Sequence, residues 1–168
     1  MKVSAEVDSE MLNKASRYFA LIGLFIGLVC ALVYAISLEV FPKNIAIILA
    51  IAVGILLTGA FHEDGWADVW DGFGGGWTVE QKLNIMKDSR LGTYGAASLF
   101  LILALKFFSL LALASPIVAL IVAHTLSRVV ATSLIFDMPY VAEDATSKVK
   151  PLAQTLSNNS LKILLLTG

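Results

Sequence analysis

Four apolar stretches, each at or near the length of a membrane-spanning helix, dominate this sequence of 168 residues. A helix needs about 20 mostly apolar residues to cross roughly 30 Å of hydrocarbon. Apolar residues make up 58% of the chain and charged residues 15%, against about 45–50% and about 25% in soluble domains. We therefore predict an all-α fold, a polytopic transmembrane helix bundle forming one membrane domain over residues 1–168. The predicted spans are Tyr18–Leu38, Asn44–Phe61, Gly95–Ala114 and Ile117–Phe136, with a partial one from Leu161.

The distribution of lysine and arginine predicts how the chain is oriented. If the first span starts inside, nine cations fall on one face of the membrane and only Lys43 falls on the other. Cytoplasmic loops carry such an excess of positive charge. We therefore predict a multi-pass protein of the cell inner membrane with the 61–94 and 138–160 loops in the cytoplasm. The net charge of −1, without a basic stripe, argues against nucleic acid as a partner.

The loop after the second span is rich in acidic residues. Six of the thirteen acids lie between His62 and Tyr94, and Asp64, Asp68 and Asp71 are spaced i, i+4 and i+7. On a helix these three share one face, where unpaired carboxylates repel and raise each other's pKa. No lysine or arginine lies among these three aspartates, so we predict that a cation from solution binds them and relieves the repulsion. Oxygen ligands favour Mg²⁺.

The residues between and after the aspartates add to this picture. Trp66, Val69 and Trp70 occupy other faces of the same helix, which predicts an amphipathic continuation of the second span with tryptophans at headgroup level. A glycine run then ends the helix and is predicted to form a loop in which backbone amides can approach an anion. Its members are Gly72, Gly74, Gly75 and Gly76.

Cations follow the acidic segment along the chain. Lys87 and Arg90 lie at the head of the third span, and an arginine can bind phosphate oxygens in a bidentate way. Arg128 stands four residues after His124 in the fourth span, where an arginine must face a polar interior or reach a headgroup. His62 is equally compatible with a role in proton transfer and with a plain interfacial position.

One small-residue pair suggests where helices approach closely. Gly23 and Gly27 are four residues apart in the first span. Such a pair permits close approach of a second helix. Glycine is also common in membrane helices generally, so both interpretations stay open.

With these residues in view, the chain resembles the cobalamin synthase family, the adenosylcobinamide-GDP ribazoletransferases. The resemblance rests on H-x-D-G-x-x-D-x-x-D-G from His62 to Gly72 and on I-M-K-D-S-R-L-G-T-Y-G from Ile85 to Gly95. The Ser127-Arg128 pair and the later Met138-Pro139-Tyr140 also fit the family's layout.

The resemblance implies a Mg²⁺-dependent membrane transferase of cobalamin biosynthesis. Such an enzyme joins adenosylcobinamide-GDP to α-ribazole, or to its 5′-phosphate, and releases GMP. Asp64, Asp68 and Asp71 would bind the metal, while Lys87, Arg90 and Arg128 would bind phosphates. Asp88 would either assist the metal or act as base toward the ribazole hydroxyl, and His62 is a second catalytic candidate. Oligomerisation with further copies is left open.

Family members also carry a glycine- and aspartate-bearing motif, G-G-x-T-G-D, near the carboxyl end. These 168 residues do not contain it. We therefore expect the natural protein to continue beyond Gly168.

Two other function classes compete with this interpretation. CDP-alcohol phosphotransferases also combine a membrane bundle with an aspartate-rich helix. Their D-G-x-x-A-R pattern requires an arginine shortly after the Asp64-Gly65 pair, and Asp68 follows Ala67 there without one. A non-enzymatic cation-binding membrane protein, such as a transporter, predicts acids within the spans. Here the acids cluster in a loop.

Overall fold

A computed structural model of the protein describes residues 9–138 and 155–168. Pro139 and Tyr140 of the predicted third motif lie outside them. Every regular element in the described residues is helical, which confirms the all-α, polytopic prediction. The helices are α1 (Ser9–Ala15), a 3-10 turn (Ser16–Tyr18), α2 (Phe19–Leu38), α3 (Lys43–Thr58), α4 (Phe61–Gly75), α5 (Val79–Lys87), α6 (Thr93–Ala112), α7 (Ile117–Asp137) and α8 (Asn158–Thr167).

Three helical segments are long and apolar enough to cross a membrane. They are Met11–Leu38, which runs from α1 through α2, then Thr93–Ala112 and Ile117–Asp137. The predicted second span differs, because α3 has 16 residues and at 1.5 Å per residue falls short of about 30 Å. It reaches a spanning length only together with α4, from which it is bent by 86°.

The chain divides into two compact units. The first contains residues 1–27 and 121–168. Its apolar core is built from Ala20, Leu156 and Leu164. Gly23 lies directly against α7, since a Cβ atom there would come within 2.9 Å of the Thr125 Cα. For Gly23, the structure thus supports close helix approach.

The second unit contains residues 28–120. Here α6 packs against α3 and α4, and α4 packs against α5. The Lys43 ammonium group, at the start of α3, donates to the carbonyl oxygen of Leu111 at 3.0 Å and also to that of Leu113. These carbonyls belong to the end of α6, where a cation is favoured by the helix dipole. The contact places the start of α3 beside the end of α6.

A sharp corner separates α3 from α4. Gly59 and Ala60 both adopt left-handed backbone angles, with φ of 61° and 58°. The Ala60 amide donates to Ile55 and the Gly59 amide to Leu56, which is the Schellman pattern that ends helices. The prediction that the amphipathic segment continues the second span is therefore wrong in its geometry. The segment is helical, but it begins after a bend of 86°.

A reciprocal cap fixes the start of α5. The Gln81 amide donates to the Thr78 hydroxyl at 3.2 Å, and the Gln81 side chain accepts from the Thr78 amide at 3.2 Å. The Trp77 amide donates to the same Gln81 oxygen at 2.9 Å. These bonds satisfy amides that a helix start leaves without partners. They allow the chain to turn sharply from α4 into α5.

Candidate functional site

The helix α4 carries the predicted acidic face. Asp64 is exposed and Asp68, one turn later, is half-buried. Burial raises the pKa of the Asp68 carboxyl group, and the negative charges of Asp64 and Asp71 raise it further. The helix therefore does place these acids close enough to repel one another, as their spacing predicted.

Asp71 has quite different surroundings. Its side chain is buried, with 9% of its surface exposed. One carboxylate oxygen accepts the Gly92 amide at 2.7 Å and the other accepts the Gly95 amide at 2.8 Å. Both amides belong to the start of α6, which has no side-chain cap of its own. Asp71 thus caps α6 from a different helix, a role that the sequence reasoning missed.

Glycines make the approach of α4 to α6 possible. A Cβ atom added at Gly92 would come within 2.8 Å of the Asp71 carboxylate carbon, and one at Gly95 within 2.9 Å of it. The Gly95 Cβ would also lie 2.9 Å from the Ala67 carbonyl oxygen. The glycines on either side of Thr93 and Tyr94 were the local sequence signal of this contact.

The predicted glycine run is mostly helical and is not a loop. Gly72, Gly74 and Gly75 lie within α4, and Gly76 caps its end. A Cβ atom at Gly72 would clash with Met86 of α5, and one at Gly74 would lie 2.5 Å from the Tyr94 ring. In the structure these glycines therefore serve close packing. Anion binding by their amides stays a prediction.

Asp88 and Arg90 form an ion pair between α5 and α6. The Arg90 Nε lies 2.9 Å from one Asp88 carboxylate oxygen and 3.1 Å from the other. The Arg90 backbone amide donates to the same side chain at 3.2 Å. This pairing raises the pKa of the Arg90 guanidinium group, whose side chain is 87% exposed. Asp88 therefore orients Arg90, and nearby Lys87, at the end of α5, is exposed.

His62 and Arg128 complete the set of predicted residues. His62 is exposed in the first turn of α4, with its ring centroid 5.7 Å from that of Phe61. Arg128 belongs to the first compact unit, where it is buried and donates to the His124 carbonyl oxygen at 3.0 Å. Of the two positions expected for an arginine in a span, the interior one is what its burial supports. Its phosphate-binding role stays a prediction.

An apolar groove of about 240 Å³ runs between α4 and α6. The indole rings of Trp66 and Trp70 form one side, with centroids 5.9 Å apart. Tyr94, Leu101 and Leu105 of α6 contribute to the rest. The groove lies on faces of α4 other than the acidic one.

Within the described residues, no group of three or more His, Cys, Asp or Glu side chains is arranged to hold a metal ion. The predicted set of three carboxylates is therefore not assembled, because the oxygens of Asp71 face amide groups. Mg²⁺, however, is usually bound by one or two carboxylates together with substrate phosphates. Asp64 and Asp68 fit that arrangement. One oxygen of Glu63, on a neighbouring face of α4, is buried without a hydrogen-bond partner in the described part of the chain.

Comparison with known proteins gives the same family as the motifs. The family model for cobalamin-5-phosphate synthase matches residues 1–168. The chain is 61% identical to the adenosylcobinamide-GDP ribazoletransferase of Shewanella frigidimarina, over 96% of this chain and 64% of that protein. It is 59% identical to the protein of that name from Shewanella sp. (strain W3-18-1), over 97% of this chain and 64% of that one.

These relatives are longer than the present chain. A third, from Shewanella oneidensis, is 56% identical over 97% of this chain and again 64% of its own length. The chain thus spans somewhat less than two thirds of the curated relatives that it matches. No solved structure shows significant similarity to it. Since the family model covers every residue, the chain belongs to the cobalamin-5-phosphate synthase family.

Proposed function

We propose that this chain has adenosylcobinamide-GDP ribazoletransferase activity. The observation that carries the proposal is its 61% identity, over 96% of its length, to a protein of that name. The arrangement of α4, α5 and α6 supports it, because acidic and cationic side chains of the two family motifs occur together in one compact unit.

The main contribution of the protein to this reaction would be to neutralise the negative charge of the phosphate groups. The ribazole hydroxyl oxygen forms a bond to the corrinoid-bound phosphorus, the bond from that phosphorus to GMP breaks, and the hydroxyl proton is lost. Negative charge grows on the departing phosphate, which cations stabilise. Arg90 and Lys87 would contact phosphate oxygens, with Asp88 fixing the Arg90 guanidinium group. Whether Asp88 also takes the hydroxyl proton stays open, and His62 is the other candidate.

Asp64 and Asp68 would hold Mg²⁺ together with the substrate diphosphate. When bound, the metal ion would supply positive charge to the phosphate oxygens as a Lewis acid. Burial, and then the charges of Asp64 and Asp71, raise the pKa of Asp68, and a bound cation would neutralise those charges. The sequence also predicted Asp71 as a ligand, and the amide contacts of its two oxygens favour leaving it out.

The site would lie at the cytoplasmic surface of the inner membrane. Trp66, Trp70 and Phe73 are exposed along one side of α4, while Asp64 and Asp68 occupy another. A helix with this division favours the interface between headgroups and acyl chains. Its bend from α3 allows α4 to run along the membrane surface. Positive charge on the same loops supports the cytoplasmic side.

The test uses the protein reconstituted in lipid vesicles with adenosylcobinamide-GDP, α-ribazole and Mg²⁺. We expect GMP and a cobalamin product in equal amounts. Asp64→Asn should lower the rate by at least about 100-fold, as losses of transition-state charge stabilisation do, while Glu80→Gln on the exposed start of α5 serves as the matched control. Release of CMP from a CDP-alcohol, with no GMP from the corrinoid substrate, would instead favour a CDP-alcohol phosphotransferase. Cation binding without either product would indicate a non-enzymatic protein.

A further inference from the structure

The third aspartate of the motif, Asp71, is buried and points its two oxygens at the start of α6. From this geometry we propose that Asp71 is a positioning residue. It anchors the Asp88–Gly92 segment, which carries the Arg90 side chain, against α4. It does not bind the metal ion.

The electrostatics of α6 explain why the carboxylate is held there. Helix starts expose amide groups without partners and carry a partial positive charge. In α6 no side chain of the helix itself supplies the cap. Asp71 supplies one oxygen to the Gly92 amide and the other to the Gly95 amide, at 2.7 and 2.8 Å. Its negative charge is therefore stabilised by amide groups within the protein.

Steric constraints make the contact specific. Added Cβ atoms at Gly92 and Gly95 would both collide with the Asp71 carboxylate. The distance between α4 and the start of α6 is thus set at the closest approach that glycine permits. Tyr94, between the two glycines in sequence, is in turn held against Gly74.

The consequence for the reaction rests on the proposed function. Gly92 is only two residues beyond Arg90, and the Arg90 side chain is mostly exposed, with Asp88 as its described partner. The position of the Arg90 backbone therefore depends on Gly92, the end of the segment that Asp71 anchors. Without the anchor, the guanidinium group would lose its fixed place beside the phosphate even though every phosphate-binding side chain is still present.

The first experiment needs no substrate. Protein in nanodiscs is digested with trypsin, and cleavage after the exposed Arg90 is followed by mass spectrometry. Asp71→Asn should speed this cleavage about tenfold, because the substitution removes the charge from the hydrogen bonds that hold the start of α6. Asp68→Asn, the same change three residues earlier on the same helix, should leave it unchanged. Equal cleavage rates in wild type and Asp71→Asn would overturn the anchor.

A second measurement separates anchoring from metal binding. The Mg²⁺ concentration that half-maximally raises the denaturation temperature should be unchanged in Asp71→Asn. A shift as large as that of Asp68→Asn would identify Asp71 as a ligand and contradict the proposal. Should Asp71→Asn fail to fold, Gly92→Ala keeps the carboxylate but displaces it, and it should reproduce the faster cleavage.

Kinetics then test whether the anchor acts through Arg90. Asp71→Asn should raise the KM for adenosylcobinamide-GDP in the wild-type background and should have little further effect in Arg90→Gln, since coupled residues are not additive. If the effects of Asp71→Asn and Arg90→Gln on KM were additive, Asp71 would not act through Arg90, and that result would contradict its role as a positioning residue. Absence of turnover in the wild type would count against the proposed function, whereas the cleavage result would still decide the anchor.

Discussion

Two regions of the acidic face of α4, only three residues apart at their nearest, behave in opposite ways. In the outer pair, Asp64 is exposed and Asp68 is half-buried, and burial together with the charges of Asp64 and Asp71 raises the pKa of the Asp68 carboxyl group. The inner carboxylate, Asp71, is buried and makes hydrogen bonds to two amides. The environments of these carboxylates therefore differ, because Asp71 faces amide groups at the start of α6 whereas Asp64 is exposed.

Helical spacing therefore shows which residues share a face, but it does not show which groups contact that face. A carboxylate facing water or a ligand is stabilised by an added cation. A carboxylate facing a helix start is already stabilised by amide groups and by the helix dipole.

The outer pair should respond most strongly to loss of charge. Asp68→Asn is expected to lower turnover by at least about 100-fold while leaving the denaturation temperature in the absence of Mg²⁺ unchanged or slightly higher, because a source of repulsion is removed. Turnover and thermal denaturation of the same preparations measure both effects. Near-normal turnover would remove the functional contrast between the two regions.

The inner region should instead respond to added volume. Gly95→Ala introduces a methyl group against Asp71 and the Ala67 carbonyl oxygen, and overpacking of this kind costs about 1–3 kcal/mol. Gly65→Ala on the same acidic helix is the control, since nothing lies within 4 Å of its Cβ position. That change should stabilise α4 by up to about 1 kcal/mol. Equal effects of the two substitutions on denaturation would contradict the close packing.

The cap of α5 should affect the inner region more weakly. Thr78→Ala removes the hydroxyl that accepts the Gln81 amide, which typically costs about 1 kcal/mol. Because α5 packs against α4 at Gly72, amide hydrogen exchange should accelerate in α5 and at the end of α4 but not around Asp64. Thr78→Ser keeps the oxygen and should exchange as the wild type does. Uniform acceleration along α4 would show that its two halves are not independent.

The pH dependence of Mg²⁺ binding should show the smallest difference between the two regions. Protons compete with a metal ion for carboxylate oxygens, and the raised pKa of Asp68 brings this competition to higher pH than for an ordinary aspartate. Below that pKa, Mg²⁺ binding should weaken by at most about tenfold per pH unit for one proton. In Asp68→Asn this contribution disappears. Titrations of Mg²⁺ at several pH values measure it, and an unchanged pH profile in the variant would contradict the assignment.

Falling pH weakens Mg²⁺ binding, but it is expected to stabilise the folded protein in the absence of metal. A carboxyl group whose pKa is raised on folding binds its proton more tightly in the folded state than in the unfolded chain. As the pH falls through the raised pKa, Asp68 therefore contributes added stability to the folded protein.

Much of the fold was predictable because lipid imposes simple rules. The predicted spans Tyr18–Leu38 and Ile117–Phe136 agree with α2 and α7 to within one residue at each end. Apolar runs bounded by proline and charge determine such boundaries locally. The second span was less predictable, because composition does not reveal where two successive residues adopt left-handed angles. Gly59 favours that conformation, but Ala60 does not.

The candidate site was predictable in its location and only partly in its roles. The acidic face lies on one helix, as the spacing of Asp64, Asp68 and Asp71 required. The glycines that follow were expected to form a loop, yet Gly72 and Gly74 are helical because α5 and Tyr94 pack directly against them. Contacts between distant parts of the chain cannot be read from local patterns.

The sequence by itself determined that this protein is helical, that it has several membrane-spanning segments, which family it belongs to and which helix bears its acids. Those properties depend on composition, on spacing along a single helix and on motifs. The packing of α4 against α6 was needed to show that Asp71 faces the start of α6 while Asp68 does not. The reason is physical: whether a carboxylate needs an external cation depends on the groups packed around it, and those groups come from residues more than twenty positions away.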